Sequence, residues 1–450
     1  MFAKYTSEEV LQTSYEAKMI SSGDNYSTIK ISGTNLQYLL VMLHLGIESK
    51  TIKTKLNWTN EEFEKQIHAL ELEGLLRKIG ESYYPTCMII TANEGKELYN
   101  LCELLIKPTL KIIENYSIQI DAISKRIETL NNLSKESYSL LLYSGVLLDF
   151  GQINYIEGNY LKKKRPLRNK KRYYYAIQEQ ELTDIEAFGM YGNTYLDLGE
   201  VQIGLYGNSR YSTLNLITAD NETFEEYFQK TNTDINYKKK QLVKGFVAAD
   251  RQIDLHLNIV YEKLGLYQNS QPVIPVFKST DLSILNEIAN TISKDLVLLF
   301  KENDKPLKEY FVSSRYSKEI TYEEFFIWWY HFFYTKVTEE LKKQGVIITS
   351  TPGQVAINTD GQIVGVGDLA TQTRQVFENI KSALETSELQ FNDVVKLTFF
   401  LTDISQMAIV RDIRDQYIDT KNPPASSAVE VKKLINDNLL IEIEAVAVAN

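Results

Sequence analysis

The segment from about Gly345 to Asn450 constrains the fold most, because its apolar spacing switches between the period of a strand and that of a helix. Val346-Ile347-Ile348 and Gln362-Ile363-Val364 flank Asn358-Thr359-Asp360-Gly361. Asp-Gly between two such runs predicts a hairpin, since Gly takes positive φ without steric cost. Leu369, Val376, Phe377, Ile380, Ala383 and Leu384 fall on one helical face. Val394 to Leu401 is a short β-rich run and predicts a buried strand. Ile404, Ile409, Ile413 and Tyr417 predict a second helix, stopped by Pro423-Pro424. Val429 to Leu434 and Leu439 to Val448 complete the series as strands, the last alternating as Ile441-Glu442-Ile443-Glu444. The implied order is strand, strand, helix, strand, helix, strand, strand, an α+β domain over residues 345–450.

The blocks "GQVAINTDGQIV", "TRQVFENIKSALE", "FNDVVKLTFFLTDI", "PPASSAVEVKKL" and "IEIEAVAV" follow one another here, and in that order the segment resembles the RidA (YjgF) family. The resemblance covers roughly a quarter of the chain. It implies a small α+β fold that assembles as a trimer, with the sites of its enamine/imine deaminases in clefts between subunits. Those members pair the substrate carboxylate with an arginine in a Pro-Ala-Arg-Ser block. Here the block reads Pro424-Ala425-Ser426-Ser427, so Ser426 stands at the arginine position. A short neutral hydroxyl cannot form the bidentate ion pair that arginine makes. Val337 stands near the place of a family tyrosine, and Thr351-Pro352 are extra residues relative to the family's Ser-Gly-Gln. The resemblance therefore implies a ligand cleft lined by Gln354, Ser426, Ser427, Glu442 and Glu444, without the inherited deamination.

A chain of 450 residues has room for about three domains. Its net charge of −10 disfavours wholesale attraction to nucleic acid or anionic lipid, while leaving room for a local basic surface. Two cysteines, Cys87 and Cys102, give neither a disulfide framework nor zinc spacing, and both read as buried thiols. The four histidines are remote from one another in sequence, so no metal site and no cofactor is expected. No apolar run reaches the ~18 residues of a membrane span, and the N-terminus lacks a signal peptide's apolar core. The expectation is a cytoplasmic protein with no membrane contact.

Residues 1–100 form the first predicted domain, and residues 35–95 read as a winged helix. The run from Asn35 ends at Gly46, a C-terminal cap, and "SKTIKTKLNW" supplies a second helix. Thr59-Asn60-Glu61-Glu62 is a capping box opening a third helix to about Leu76, and "SYYPTCMII" predicts a wing strand. The close "ALELEGLL" resembles the end of the third helix in winged-helix regulators, with Gly74 breaking it. DNA contact would fall to this helix and to Lys50, Lys53 and Lys55. Glu61, Glu62, Glu64, Glu71 and Glu73 oppose it, because a phosphate footprint needs cations. A protein-contact role is the alternative.

Residues 101–344 read as a mixed helical and β middle region. Ile113, Tyr116, Ile120, Ile123, Ile127 and Leu130 make a short seam, expected to pack a long helix back on the first domain rather than to form a coiled coil. Lys162, Lys163, Lys164, Arg165, Arg168, Lys170, Lys171 and Arg172 crowd a stretch with no acid, a candidate nucleic-acid or polyanion contact set against a solvated hairpin tip. "MYGNTY" and "LYGNSRY" predict turns at Gly192-Asn193 and Gly207-Asn208. A second capping box, Thr321 with Glu324, opens a helix whose Phe325, Phe326, Trp328, Trp329, Phe332 and Phe333 read as an anchor between middle and C-terminal domains rather than a ligand cage. Three functions fit this organisation. One is a non-catalytic regulator or ligand sensor on a trimeric hub, with DNA and a small molecule as candidate partners. The others are an enzyme of altered specificity using Gln354, Glu442 and Glu444, and an assembly protein.

Overall fold

The structure is a computed structural model. It describes residues 5–447 except 22–24, 132, 181–190, 198–201, 209–212, 215–266, 269–270, 273–278, 349–353, 359–361, 387–388, 433, 435 and 437. Thr351-Pro352 and Asp360-Gly361 lie outside the described residues, as does His256, one of the four histidines. The described residues mix α and β structure, as expected.

The chain opens with α1 (Ser7–Gln12) and β1 (Tyr15–Ile20). Then come α2 (Asn35–His44), α3 (Ser49–Leu56), α4 (Asn60–Glu73) and the hairpin of β2 (Leu76–Ile79) and β3 (Ser82–Pro85). Thr59 and Glu62 cap α4 reciprocally. Gly74, at φ 78°, ends the helix because only glycine takes that conformation without strain. The third helix thus stops before Leu75 and Leu76, which the apolar run had included. Next are β4 (Met88–Ile90) and α5 (Ala92–Asn100).

Strand β7 (Tyr174–Glu179), more than 80 residues further on, lies between β1 and β4, antiparallel to one and parallel to the other. All six of its residues are buried. Alternation explains why. Tyr173, Tyr175 and Ile177 join Cys87 and Ile89 in a core with α2 and α4, while Tyr174 and Ala176 join Met88 and Ile90 in the core of the middle region. The sheet is a wall shared by two cores.

The predicted long helix is broken into α6 (Glu103–Asn115) and α7 (Ser117–Ser124). Its seam residues Ile113, Ile120, Ile127 and Leu130 are buried in the middle core with Ile288, Ile292 and Leu296 of the helix Ser279–Asn303, a cluster that also takes in Leu98 and Tyr99 of α5. From Lys135 to Leu161 the chain is continuously helical, with π-helical stretches at Leu141–Phe150 and Ile156–Leu161. The basic run becomes a small hairpin of β5 (Leu167–Arg168) and β6 (Lys171–Arg172), turned by Asn169 and Lys170 at positive φ. The two Gly-Asn echoes are not turns. They lie in β8 (Tyr191–Asp197) and β9 (Gln202–Asn208), where Gly192 pairs with Gly207, so the repeated pattern matches itself across the ladder. Short β10 (Thr213–Leu214) extends that sheet, and β11 (Tyr267–Gln268) pairs with β12 (Gln271–Pro272).

The aromatic helix spans Tyr322–Lys343 and is buried continuously from Glu324 to Thr338. A helix apolar on all sides belongs at the centre of a core. Its aromatic residues accordingly lie in the middle core, and the anchor expected between middle and C-terminal domains is instead an axis within the former. Val346-Ile347-Ile348 is not a strand. Gly345, at φ 67°, closes the aromatic helix, with Val346 N–H donating to the Leu341 carbonyl, and Ile347 packs into the middle core.

The C-terminal domain has its own core. Strands β13 (Gln354–Val355), β14 (Val394–Leu401), β15 (Ala425–Glu430) and β16 (Ile441–Ala447) form a sheet in the order β13-β16-β14-β15. Helices Leu369–Thr386 and Met407–Arg414 cover one face. Around the hairpin expected at Asn358, the described residues show an antiparallel bridge between Ile357 and Ile363, with Asn358 N–H donating to the Gln362 carbonyl at 3.0 Å and Val364 N–H to the Ala356 carbonyl at 2.9 Å; the turn itself lies outside the described residues. Strand β15 starts earlier than the apolar run Val429 to Leu434, because its parallel register with β14, not its hydrophobicity, sets its start.

Candidate functional site

Leu397, Phe399 and Leu401 of β14 and Ile441, Ile443 and Ala445 of β16 are sealed under the helices. Alternation puts Lys396, Thr398 and Phe400, and Glu442 and Glu444, on the opposite face. The register then sorts the five candidates. Glu444 faces Thr398, which faces Ser427, making one polar row across three strands. Glu442 faces Phe400, which faces Val429, and Val355 lies beyond Glu442 in a second row. Ser427, Glu442 and Glu444 therefore share the uncovered face. Gln354 aligns with Ile443 and Ser426 with Leu397, so these two belong to the helix-side set. Thr398 and Phe400 share this uncovered face and were not among the residues named from the sequence; the alternation within Val394–Leu401 was the available signal.

Every residue of β15 is exposed, and its outer edge has no strand partner among the described residues. Ser426 Oγ donates to the Pro424 carbonyl at 3.1 Å. Burial raises the carboxyl of half-buried Glu442 above its ordinary range, the direction a proton donor needs. The arrangement can accept hydrogen bonds from, or exchange a proton with, a neutral or cationic group. Position 426 supplies no cation for a carboxylate.

The candidate nucleic-acid residues separate into different settings. Lys53 donates to Asn60 Oδ1 at 2.6 Å and lies over the Phe63 ring, Lys55 pairs with Glu8, and Lys50 is exposed on α3. Arg168 leaves the phosphate-binding set altogether. It is 2% exposed and donates to Glu324 at 2.8 Å and to the Tyr173 carbonyl. The cause is steric and electrostatic: β5 turns it inward onto a buried carboxylate that needs a cation. Glu324 is consequently not the reciprocal arm of a capping box; Thr321 accepts from Glu324 N, but the Glu324 carboxylate serves Arg168. Arg165 is held by Glu157 through two bonds of 2.8 and 3.1 Å. Lys171 lies 4.0 Å from the centre of the Tyr26 ring. Lys162, Lys163, Lys164, Arg165 and Arg172 line one open cleft of about 670 Å³, while Lys170 and Lys171 do not.

Two buried polar groupings were invisible in sequence because their members are remote. His44 is hydrogen-bonded to Glu94 at 2.9 Å and Glu319 at 2.7 Å, joining α2, α5 and the turn of helix Tyr316–Glu319. Burial works to lower its pKa, but the two carboxylates outweigh burial and hold it at about 10. Asp149, in the π-helical stretch, is pushed up to about 8 by burial, partly offset by the Tyr334 hydroxyl. Among the described residues no group of His, Cys, Asp or Glu is arranged to hold a metal ion, and no helix is long and apolar enough to cross a membrane.

The C-terminal segment is similar in sequence to known proteins. The profile of the family described as Endoribonuclease L-PSP matches residues 335–449, beginning within the aromatic helix. A RutC family protein of Pyrococcus horikoshii is 42% identical over 95 residues, which are 21% of this chain and 74% of that protein. A 2-iminobutanoate/2-iminopropanoate deaminase of Escherichia coli is 39% identical over 106 residues, 23% of this chain and 79% of the enzyme. A crystal structure of a Rid-family protein of unknown function from Yersinia pestis aligns at 34% identity and a TM-score of 0.22, over 22% of this chain and 77% of that one. Through residues 335–449 the chain belongs to the Endoribonuclease L-PSP family, the RidA (YjgF) family of the sequence resemblance.

Proposed function

We propose that this protein is a non-catalytic ligand sensor and regulator whose RidA-family domain serves as a trimeric hub. The observation that carries the reading is Ser426 in place of the carboxylate-binding arginine, on a strand exposed along its whole length. The uncovered sheet face with Ser427, Thr398, Glu442 and Glu444 supports a ligand cleft completed by a neighbouring subunit. We divide the chain at residues 1–100, 101–344 and 345–450, with the β1-β7-β4 sheet common to the first two. Cys87 and Cys102, both buried as free thiols, fit a reducing cytoplasm.

The deaminase from Escherichia coli supplies the decisive assay. The wild-type chain should release no ammonia from 2-iminobutanoate above the uncatalysed rate. Turnover by the wild type that is lost in Glu442→Ala would favour the second reading, an enzyme of altered specificity, which rests on the raised Glu442 carboxyl. Light scattering should give three chain masses; a monomer at micromolar concentration sinks the hub.

The order α2-α3-α4 followed by the β2-β3 hairpin supports a winged-helix reading of the head. The exposed side of α4 carries Glu61, Glu62, Glu64 and Glu71 with Lys65, which favours protein or ligand contact over duplex reading. A gel shift at low salt tests the DNA arm: a shifted band abolished by reversing Lys50, Lys53 and Lys55 would restore it.

A further inference from the structure

The basic cleft belongs to the middle region, and nothing in the RidA-family domain accounts for it. In a chain of net charge −10, five cations, Lys162, Lys163, Lys164, Arg165 and Arg172, line it against one carboxylate, Glu157. Glu157 is already bound by the guanidinium of Arg165, so the lysines and Arg172 face the cleft without a compensating acid among its lining residues.

The site is built from two directions. Lys162, Lys163 and Lys164 follow the end of the long helical stretch at Leu161, and Arg172 comes from β6 opposite. A single lysine is enough to complement a helix C-terminus; three in succession with an arginine from the other wall exceed that need. Lys162 also holds φ 55°, a left-handed conformation for which glycine is the usual choice. A lysine stands there in glycine's place.

The walls are fixed before any ligand arrives. Arg168 pins the hairpin to Glu324, to the Tyr173 carbonyl and to the Thr86 carbonyl. Arg172 N–H donates to Asn25 Oδ1 at 2.9 Å, and its Nη1 donates to the Arg165 carbonyl at 2.8 Å. Its Nε and Nη2 have no protein acceptor among the described residues and suit an anionic oxygen.

We infer that this cleft binds a small molecule through a chain of phosphates. A volume of about 670 Å³ lies within the range of small-molecule sites. A nucleic-acid strand would instead call for a groove that tracks a backbone over several nucleotides, yet Lys170 and Lys171, the remaining cations of the run, fall outside the cleft. The assignment is independent of the hub reading, since none of its residues lies in residues 335–449.

Calorimetric titration of the full chain with inorganic triphosphate and with ATP, each at low and moderate salt, tests it. Both should bind saturably, weaken as salt rises, and lose roughly tenfold or more in affinity in Lys163→Glu/Lys164→Glu. Arg172→Gln should weaken binding separately, and Lys381→Glu, an exposed lysine of the C-terminal domain, should leave it unchanged. Circular dichroism of each variant verifies folding. Absence of saturable binding by the wild type, equal affinity in the folded double reversal, or binding of ATP without inorganic triphosphate would overturn the assignment. Displacement of triphosphate by a single-stranded oligonucleotide of higher affinity, with the same dependence on Lys163 and Lys164, would transfer the cleft to nucleic acid.

Discussion

The aromatic helix of the middle region is enclosed on every side, with no break in burial from Glu324 to Thr338, whereas the C-terminal sheet is covered by helices on one face and ends in a strand exposed at all six residues. The first region has spent its apolar surface within one chain. The second keeps Val429, Val395 and Phe400 at or near the surface beside Ser427 and Glu444, a mixed face suited to a partner. The contrast teaches where sequence change should be felt by the single chain and where by the assembly.

The largest effect should come from the enclosed region. Phe333→Ala removes a fully buried ring that contacts Phe300, Trp329 and Tyr330, and should cost about 3–5 kcal/mol in urea unfolding. A loss below about 1 kcal/mol would show that this core is not close-packed.

Next comes the buried ion cluster. His44→Gln removes the cation between Glu94 and Glu319, leaving Glu319 with the more distant Arg315 at 3.8 Å, and should cost roughly 3 kcal/mol near neutrality. Its dependence on pH has a definite sign. A pKa raised from 6.5 to about 10 gives stability that is complete below 6.5 and is lost as pH rises through 10. Glu94 is lowered from 4.5, its burial overcome by His44, so its share is present above 4.5 and is lost as pH falls through the depressed value. The gap between wild type and variant should therefore be widest at pH 5–6.5 and close towards pH 10. Melting curves across that range that stay parallel would contradict an ionised cluster.

The smallest effect on the chain, and the sharpest on the comparison, should be Val429→Lys. Val429 is 45% exposed on β15, so the substitution should change chain stability by no more than about 0.5 kcal/mol. Light scattering should nevertheless register a fall in assembled mass. An intact trimer with this charge on the edge would place the subunit contact elsewhere.

Legibility followed the same division. The C-terminal helix Leu369–Thr386, the strands Val394–Leu401 and Ile441–Ala447, and the capped start of α4 were readable because each is set by local period or local hydrogen bonding. What escaped is non-local. Nothing in "RYYYAIQE" marks it as the strand between β1 and β4, since burial on both faces erases alternation. Arg168 reads as one cation among many until Glu324 is seen to meet it. The alternation that puts Glu442 and Glu444 on one face was legible in the sequence, but only the ladder could divide Ser426 from Ser427.

The placement of β7 also sets an order of events during synthesis. Its partners β1 and β4 are made within the first 90 residues, and both must wait for residues 174–179 before their ladder can close. Pairings over such separations form late and leave apolar strand faces open in the meantime. A fragment cut at residue 100 lacks that strand and would carry Cys87, Ile89 and Ile90 towards water. In the nascent head these apolar strand faces therefore stay without their cover until the basic hairpin and the strand behind it have left the ribosome.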